Sequence, residues 1–428
     1  MADVERAELL IDQILADNAG RKPSLVRLKL ETMAEGVFCF FRGVNDQFAR
    51  DWPRLAPLDP GPLVLLCGDL HLENFGAFLT EAGGCRFGIN DFDEAYVAPC
   101  GVDLVRCGAS IILASDEWRL SPTSGAGMVV EFLDSYREEI AASAVSRRVG
   151  ELTARNVEGT MLELLGPTVV RSRDNLIAQQ TRHSKRRGHR MIVRGDRTAS
   201  IGPKKVEAIR EAFRALGAAM PVPQTIELVD ATTRIAGLGS LGLRRYLALL
   251  SHADDHSHLS LVDVKEAAAP ALRRCIEVPQ PSWADDQARR IIDAERLINE
   301  EPVLGLASFT MGGRSFRVRG MVPEANRSKL SRLRRTPEKL REAVQMAGRV
   351  AGWAHVRGAI ALDEAHPTEL SRWVTGPAFD SIMVSAARMA DWTRDLFLDF
   401  QRALDTKTVR KRLGLSVRRT RSIEAGSS

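Results

Sequence analysis

Apolar residues recur at helical spacing along most of this chain. Leu340, Val344 and Ala347 are four and three positions apart, so they fall on one face of an α-helix. The same kind of pattern predicts helices around residues 25–41, 103–120, 128–142, 206–216, 286–300, 340–354 and 382–404. We therefore expect helix to outweigh strand.

Two parts of the chain have the pattern of β-structure instead. In residues 63–95 the apolar run LVLLC meets the polar GDLHLEN, and two strand-like pieces, GAFLT and CRFGIN, follow with EAGG between them. Paired glycines in that position predict a hairpin. In residues 226–319 the strand-like segments IELVDATTRIA, RYLALL, LSLVDV and SFRVRGM surround the turn GLGSLG. This second part predicts a small sheet with one inserted helix.

The composition is that of a globular protein. Hydrophobic residues make up 44% and charged residues 27% of the 428 positions, which excludes a disordered or fibrous chain. The length predicts two or three lobes. Six cysteines without a CxxC pair argue against a disulfide scaffold or a structural zinc site and favour a reducing cytoplasm. The start of the sequence lacks the features of a signal peptide, and no apolar run is long enough to span a bilayer, so we expect a cytoplasmic protein without a membrane partner.

The net charge of +5 conceals three basic blocks. Residues 171–197 hold nine basic and two acidic side chains, residues 327–341 seven and one, and residues 401–428 eight and two. The remainder of the chain carries a net charge of −14. Such blocks usually form solvated faces or tails, and an acidic or nucleic-acid partner is the alternative.

Three polar residues of the first β-like part suggest a reaction centre. Asp69 and Asn74 stand five positions apart, and the predicted hairpin returns Asp91 to the side of Asn74. Hard oxygen ligands of this kind suit Mg²⁺, which takes one or two carboxylates together with substrate phosphates. Asp69 would remain free to orient or deprotonate a hydroxyl group. The pattern favours phosphoryl transfer.

GDLHLEN followed by INDFDEA resembles the HGDxHxxN and IDFxxA motifs of the aminoglycoside and choline kinase-like branch of the protein-kinase-like fold. The resemblance implies that Asp69 is the catalytic-loop aspartate and that Asn74 and Asp91 bind the metal. Asp103, in PCGVDLVR, would brace the catalytic loop. The sequence departs from the family at Cys67, where a histidine is usual. ATP and Mg²⁺ are the implied nucleotide and metal.

The second β-like part contains a glycine-rich turn and a lysine that suit a kinase-like lobe. In such a lobe glycines let backbone amides close over the phosphates, and a lysine on a neighbouring strand holds the α- and β-phosphates. Lys265 ends the strand-like LSLVDV, and Glu295 on the following helix would pair with it. The turn provides the remaining predicted cofactor-binding residues: Gly237, Gly239, Ser240 and Gly242.

A dinucleotide-binding turn is the rival interpretation of this segment. TRIAGLGSLG can form a strand and a turn, and Asp263 lies 21 residues beyond Gly242, near the position of a ribose-binding acid. That interpretation requires a helix directly after Gly242. It predicts an NAD(P)-binding Rossmann-type oxidoreductase and leaves the first β-like part unexplained.

The order of the motifs is unusual, because the glycine turn and Lys265 follow the catalytic loop by more than 150 residues. A circularly permuted, helix-rich, two-lobed protein-kinase-like fold of the α+β class would reconcile this order with the motifs. FFRG, CGDLHLENFG, INDFDEA, GLGSLG, VKEA and WAHVRGA, in that order, resemble the uncharacterised bacterial domain-of-unknown-function family 2252 from about residue 20 to about residue 405.

We divide the chain on this basis into six parts. These are an N-terminal helical segment (1–60), a catalytic-loop and metal-site core (61–115), a helical region of the large lobe (116–225), a small β-rich nucleotide lobe (226–330), the C-terminal helices of the large lobe (331–405) and a basic flexible tail (406–428).

The predicted function is ATP- and Mg²⁺-dependent phosphotransfer. Only 12 positions separate Asp91 from Asp103, which leaves no room for the long segment with which protein kinases dock peptides, so we expect a small-molecule acceptor. Two alternatives remain: the NAD(P)-dependent oxidoreductase, and a catalytically inactive kinase-like protein that binds a nucleotide or a polyanion.

Overall fold

The structure is a computed structural model of the chain. It describes residues 2–82, 84–146, 149–153, 155–170, 173–184, 188–195, 197–221, 225–252, 255–299, 301, 303–321, 330–363 and 366–414. Helices alternate with short groups of strands, and the chain has the mixed α+β architecture that its sequence predicts.

The helices dominate both ends of the chain. In chain order they are α1 (Ala2–Asp17), α2 (Pro23–Met33), α3 (Val37–Gly43), α4 (Asn45–Leu55), α5 (Gly101–Glu117), α6 (Pro122–Ser146), α7 (Gly159–Val170), α8 (Arg173–Gln180), α9 (Pro203–Ala218), α10 (Gln287–Asn299), α11 (Pro337–Ile360), α12 (His366–Val374), α13 (Ser381–Asp405) and α14 (Lys407–Leu413).

The strands form one larger sheet and three small ones. In chain order they are β1 (Leu63–Leu66), β2 (Phe75–Leu79), β3 (Cys85–Ile89), β4 (Tyr96–Pro99), β5 (Leu152–Thr153), β6 (Thr181–Ser184), β7 (Gly188–Met191), β8 (Thr198–Ala199), β9 (Ile226–Arg234), β10 (Arg245–His252), β11 (Asp255–Glu266), β12 (Ala307–Met311) and β13 (Arg314–Gly320).

The larger sheet has six strands in the order β12-β13-β11-β10-β9-β8, and every neighbouring pair is antiparallel. Its strands β9, β10, β11 and β13 lie where the apolar pattern predicted strands. The amphipathic helix α9 covers one face, where Ile209 and Phe213 pack with Val264 and Phe316 in one core cluster. Because α9 and β8 belong to this unit, the sheet region begins before residue 226, inside the part predicted to be helical.

The main core lies among the helices. Helix α11 packs against α6 and against β1, and α5 packs against α6 and α13. Val344, Ala347 and Ala354, which belong to the predicted apolar stripe of α11, are buried in this core. The predicted helix over residues 25–41 is interrupted, since Gly36 is extended and Glu117 of α5 accepts a hydrogen bond from Phe38 N at the start of α3.

Two further regions differ from the sequence prediction. Residues 116–225 contain the hairpin β6–β7 and the strands β5 and β8 besides their helices. The segment after residue 405, predicted to be flexible, forms α14: Thr406 caps its first turn, Val409 is buried, and Gly414 ends it in the left-handed conformation. Residues 171–172, 185–187, 196, 327–329 and 415–428 of the basic blocks lie outside the described residues.

No helix in the described ranges combines the length and the apolar character that crossing a membrane requires.

Candidate active site

The loop Gly68–Asn74 joins β1 to β2 and carries Asp69 and Asn74. Gly68 has a φ of +81°, and a β-carbon at this position would overlap the carbonyl oxygen of Glu94. Only glycine fits both conditions, because side chains rarely adopt this conformation. The close approach brings the loop against the segment that follows Asp91.

Asp103 of α5 braces this loop, as the resemblance implies. It is fully buried, and its carboxylate accepts hydrogen bonds from the backbone N–H groups of Cys67 and Gly68, both at 3.1 Å, and of Leu70, at 3.4 Å. His355 of α11 lies on the other side, with Nε2 3.6 Å from Asp103 Oδ2. A carboxylate with three backbone donors fixes the loop conformation before any ligand arrives.

Asp69 forms an ion pair with Arg106, which lies one helical turn beyond Asp103 on α5. The Arg106 guanidinium is buried, 4.3 Å from the centre of the Phe41 ring and 4.9 Å from that of Phe48. Burial raises the pKa of Asp69 to about 6, with Asp91 adding to the rise and Arg106 opposing it. At neutral pH the group is therefore an ionised carboxylate whose basicity exceeds that of an ordinary aspartate.

The β2–β3 hairpin brings Asp91 beside Asn74. Phe75 pairs with Ile89 in its register, and Asn90 N donates to Asn74 O at 2.8 Å. The Asn74 side chain also donates from Nδ2 to the carbonyl oxygen of Asp69 at 2.7 Å. The hairpin therefore produces the juxtaposition that the sequence predicted for these three residues.

The oxygen atoms around Asp91 suit a hard cation. Asp93 follows closely, and its Oδ1 is buried without a hydrogen-bond partner among the described residues. Carboxylate and amide oxygens are the ligands that Mg²⁺ prefers. Among the described residues, no three His, Cys, Asp or Glu side chains are grouped as a metal cage. Asn74 and Asp91, with Asp93 beside them, fit an ion that keeps most of its water.

The glycine turn connects β9 to β10, and Lys265 lies on the adjacent strand β11. Gly242 has a φ of +94°, and a β-carbon there would lie 2.7 Å from the Cβ of Arg21. Residues after Gly242 form strand β10, antiparallel to β9, so the helix that a dinucleotide-binding turn requires is absent from this place. Asp263, the proposed ribose acid, is buried in ion pairs with Arg234 and Arg245. The Rossmann interpretation of this segment is wrong.

One cavity of about 860 Å³ brings the two motifs together. Its volume lies in the range of small-molecule sites, roughly 300–1,000 Å³. Eight of the nine residues predicted for the site line it: Asp69, Asn74, Asp91, Gly237, Gly239, Ser240, Gly242 and Lys265.

Glu295 is the exception, and its predicted ion pair with Lys265 is not formed. Glu295 is fully buried on α10, 3.9 Å from Arg317 and 3.5 Å from Arg319. Arg317 lies opposite Lys265 in the β11–β13 register, on the strand that packs against α10. The two arginines of β13 therefore take the carboxylate that the sequence assigned to the lysine.

Lys265 pairs with Asp93 instead. Burial alone would raise the pKa of Asp93, but Lys265 and Arg317 outweigh it and hold that pKa below its usual range. Arg290 of α10 holds the same segment by donating to the carbonyl oxygens of Asp93, at 2.7 Å, and Ala95, at 2.5 Å.

The sequence analysis did not identify Arg106, Asp93 or Lys29, which also lines the cavity. Each has a signal in the sequence. Arg106 lies three residues after Asp103, so the two share a helix face. Asp93 belongs to the same INDFDEA motif as Asp91. Lys29 occupies a position in the apolar stripe of α2, between Val26 and Leu30.

Arg42 and Asn45 form another wall of the cavity. Asn45 is 9% exposed, and neither polar atom of its side chain has a hydrogen-bond partner among the described residues. Arg42 lies 3.9 Å from Glu73, while its buried Nε has no hydrogen-bond partner within the described ranges. These groups are available to a ligand beside Asp69.

Comparisons with known proteins identify a family but no activity. No curated protein matches the chain, and neither does any solved structure. The family model described as "Uncharacterized protein conserved in bacteria (DUF2252)" matches residues 21–403, a range that contains every residue of the cavity motifs. The chain belongs to this family of uncharacterised bacterial proteins.

Proposed function

We propose that the protein is an ATP- and Mg²⁺-dependent phosphotransferase of a circularly permuted, kinase-like type that acts on a small-molecule acceptor. The observation that carries the proposal is the shared cavity: Asp69, Asn74 and Asp91 face the glycine turn and Lys265 although more than 140 residues separate the two groups. Transfer from a nucleotide needs these parts around one ligand.

Asp69 acts as the base in this proposal. Its carboxylate accepts the proton of the acceptor hydroxyl as that oxygen attacks the terminal phosphorus of the nucleotide, and the bond to the leaving nucleoside diphosphate breaks. Arg106 holds the carboxylate in place, and Asp103 holds the loop. A base with a pKa of about 6 is ionised at neutral pH and still accepts a proton effectively.

The phosphates would lie between the glycine turn and Lys265. Lys265 exchanges its contact with Asp93 for a phosphate oxygen, or shares the two. Asn74 and Asp91 are the residues that would hold Mg²⁺, which when bound neutralises phosphate charge. Because this ion usually keeps several waters, two protein ligands are sufficient.

The acceptor would occupy the wall of Arg42 and Asn45, beside Asp69. The unpartnered Asn45 amide offers both a donor and an acceptor to a polar ligand. The short connection from Asp91 to Asp103 favours a small molecule over a peptide, as the sequence analysis expects.

The packing of α11 supports the permutation. This helix contains GRVAGWAHVRG, which resembles the helix that usually leads into a catalytic loop, and it packs against β1, from which the loop of Asp69 emerges. In space the helix therefore precedes the loop, whereas along the chain it follows the six-stranded sheet.

A thermal-shift experiment with ATP, GTP, NAD and NADP, each with and without Mg²⁺, tests the proposal. We expect ATP to stabilise the protein more with Mg²⁺ than without it, and NAD to have no effect. A ligand at 100 times its Kd adds about 2.7 kcal/mol to the free energy of unfolding, which is measurable. Stabilisation by NAD alone would overturn the proposal.

Phosphate release from Mg·ATP, measured beside binding, separates the enzyme from an inactive relative. Slow hydrolysis with water as acceptor needs no knowledge of the natural substrate. Binding without release above the background of Asp69→Asn would favour the alternative of an inactive nucleotide-binding protein.

A further inference from the structure

Lys29 is a lysine buried in the apolar face of α2. It is only 2% exposed, and Leu25, Val26, Leu30 and Met33 are the other buried residues of this helix. An ammonium group removed from water is unfavourable unless a charge or several hydrogen bonds compensate for it. Lys29 nevertheless lines the same cavity as Asp69 and Lys265.

The contacts of Lys29 do not supply that compensation. Nζ donates to Asn18 Oδ1 at 3.2 Å and to the carbonyl oxygen of Gly239, in the glycine turn, at 3.5 Å. Both acceptors are neutral, and no carboxylate of the described residues forms an ion pair with this lysine. Because an ammonium group has three N–H donors, at least one is available to a ligand in the cavity.

The segment before α2 fixes Lys29 against the glycine turn. Arg21 donates from Nη1 to the carbonyl oxygens of Gly239, at 2.8 Å, and Leu241, at 3.1 Å. Lys22 N donates to Gly242 O at 3.2 Å. These contacts with carbonyl oxygens leave the positive charges of Arg21 and Lys29 together beside the turn, without an anion between them.

We propose that Lys29 binds a phosphate group of the nucleotide, so that the N-terminal helix α2 forms part of the nucleotide site. The inference rests on the proposed function and adds a second phosphate-binding lysine to Lys265. The glycine turn places the ligand's phosphates nearby, and a polyphosphate is the anion whose oxygens would meet Lys29 in this cavity.

The titration of Lys29 provides an independent readout. Burial and the neighbouring charge of Arg21 lower its pKa to about 7, against the weaker opposing effects of Asp46, Asp17 and Glu94. A bound phosphate raises this pKa, so binding takes up a proton near neutral pH. The contribution of Lys29 to affinity is therefore complete below pH 7, and it is lost as pH rises through the pKa of the liganded form.

The experiment compares Lys29→Met with the wild-type protein by calorimetric titration of Mg·ATP and of tripolyphosphate, using the full chain. Because a charged hydrogen bond is lost, we expect both affinities to fall by about 10- to 100-fold. Methionine matches the length of the lysine stem without a charge, so the ligand-free melting temperature should stay equal or rise. A purely structural Lys29 would give the opposite result, a lower melting temperature and unchanged affinities, and would overturn the inference.

Two control variants complete the design. Lys22→Met removes an exposed cation beside the same turn and should change the Mg·ATP affinity by no more than about twofold, since exposed charges are screened. Lys29→Arg should keep its affinity at pH 9, where the ratio of wild-type to Lys29→Met affinity approaches one. A ratio that stays constant from pH 6.5 to pH 9 would contradict phosphate binding by Lys29.

The two proposals fail in distinguishable ways. If the wild-type protein binds Mg·ATP and Lys29→Met binds it equally well, the inference is wrong and the proposed function stands. If the wild-type protein binds tripolyphosphate through Lys29 but not Mg·ATP, the anion site is supported and the proposed function is wrong.

Discussion

Lys265 pairs with Asp93, a residue 172 positions earlier in the chain, and not with Glu295 on the helix that follows it. The ion pair joins the six-stranded sheet to the segment that carries Asp91. Lys265 is buried and Asp93 is half-buried, so the pair is shielded from solvent more than a surface ion pair is. The lysine proposed to hold phosphates is therefore occupied by a carboxylate in the free protein.

This pairing predicts strong coupling between Lys265→Met and Asp93→Asn. Each single variant leaves one charge without its partner and should lower the free energy of unfolding, whereas the double variant should lose less than the sum. We expect a coupling energy of about 1 kcal/mol or more in a double-mutant cycle measured by urea unfolding. Glu295→Gln is the matched control and should not couple to Lys265→Met. Coupling of Lys265 to Glu295 instead would show that the two residues pair in solution.

Replacement of Asp91 and of Asp69 should damage different steps. Asp91→Ala removes a charged metal ligand, so the part of ATP binding that depends on Mg²⁺ should disappear. Asp69→Asn should keep the nucleotide affinity near that of the wild type and lower the rate of ATP hydrolysis by roughly 10²- to 10⁴-fold, the usual contribution of a general base. Calorimetric titration and phosphate release measure the two effects. Wild-type hydrolysis by Asp69→Asn would remove the main support for the kinase interpretation.

The pH profile of hydrolysis should reveal the ionisation of Asp69. Because burial raises its pKa to about 6 and only the ionised form accepts a proton, the rate should rise as pH increases through about 6. Glu94, whose pKa burial raises to about 7, provides the control: Glu94→Gln should retain this acidic limb. Arg106→Met removes the cation that stabilises the Asp69 carboxylate, so the limb should move to higher pH. A limb that disappears in Glu94→Gln would assign the titration to Glu94.

The brace at Asp103 should be important for stability. Asp103→Ala leaves three buried backbone N–H groups without their acceptor, and each unsatisfied group costs about 1–3 kcal/mol. We expect the free energy of unfolding to fall by at least about 3 kcal/mol in urea. Asp116→Ala, on the same helix but exposed, should change it by no more than about 0.5 kcal/mol. Equal effects of the two substitutions would exclude a bracing role.

The site was more predictable than the contacts that hold it. Motif spacing identified Asp69, Asn74, Asp91, the glycine turn and Lys265, because local turns and strand patterns determine those positions. The partner of Lys265 was not predictable, since it depends on Arg317 lying opposite the lysine across β11 and β13. The involvement of Lys29 likewise depends on how α2 meets a turn about 210 residues away.

The position of Gly68 against the Glu94 carbonyl has a mechanical consequence. The loop of Asp69 and the segment of Asp91 are in van der Waals contact there, and the bond from Asn90 N to Asn74 O joins them again. The two acids therefore belong to one rigid body whose internal spacing cannot change during a reaction cycle. Any closing motion around a ligand must come from the six-stranded sheet, with its glycine turn and Lys265 moving toward two stationary carboxylates.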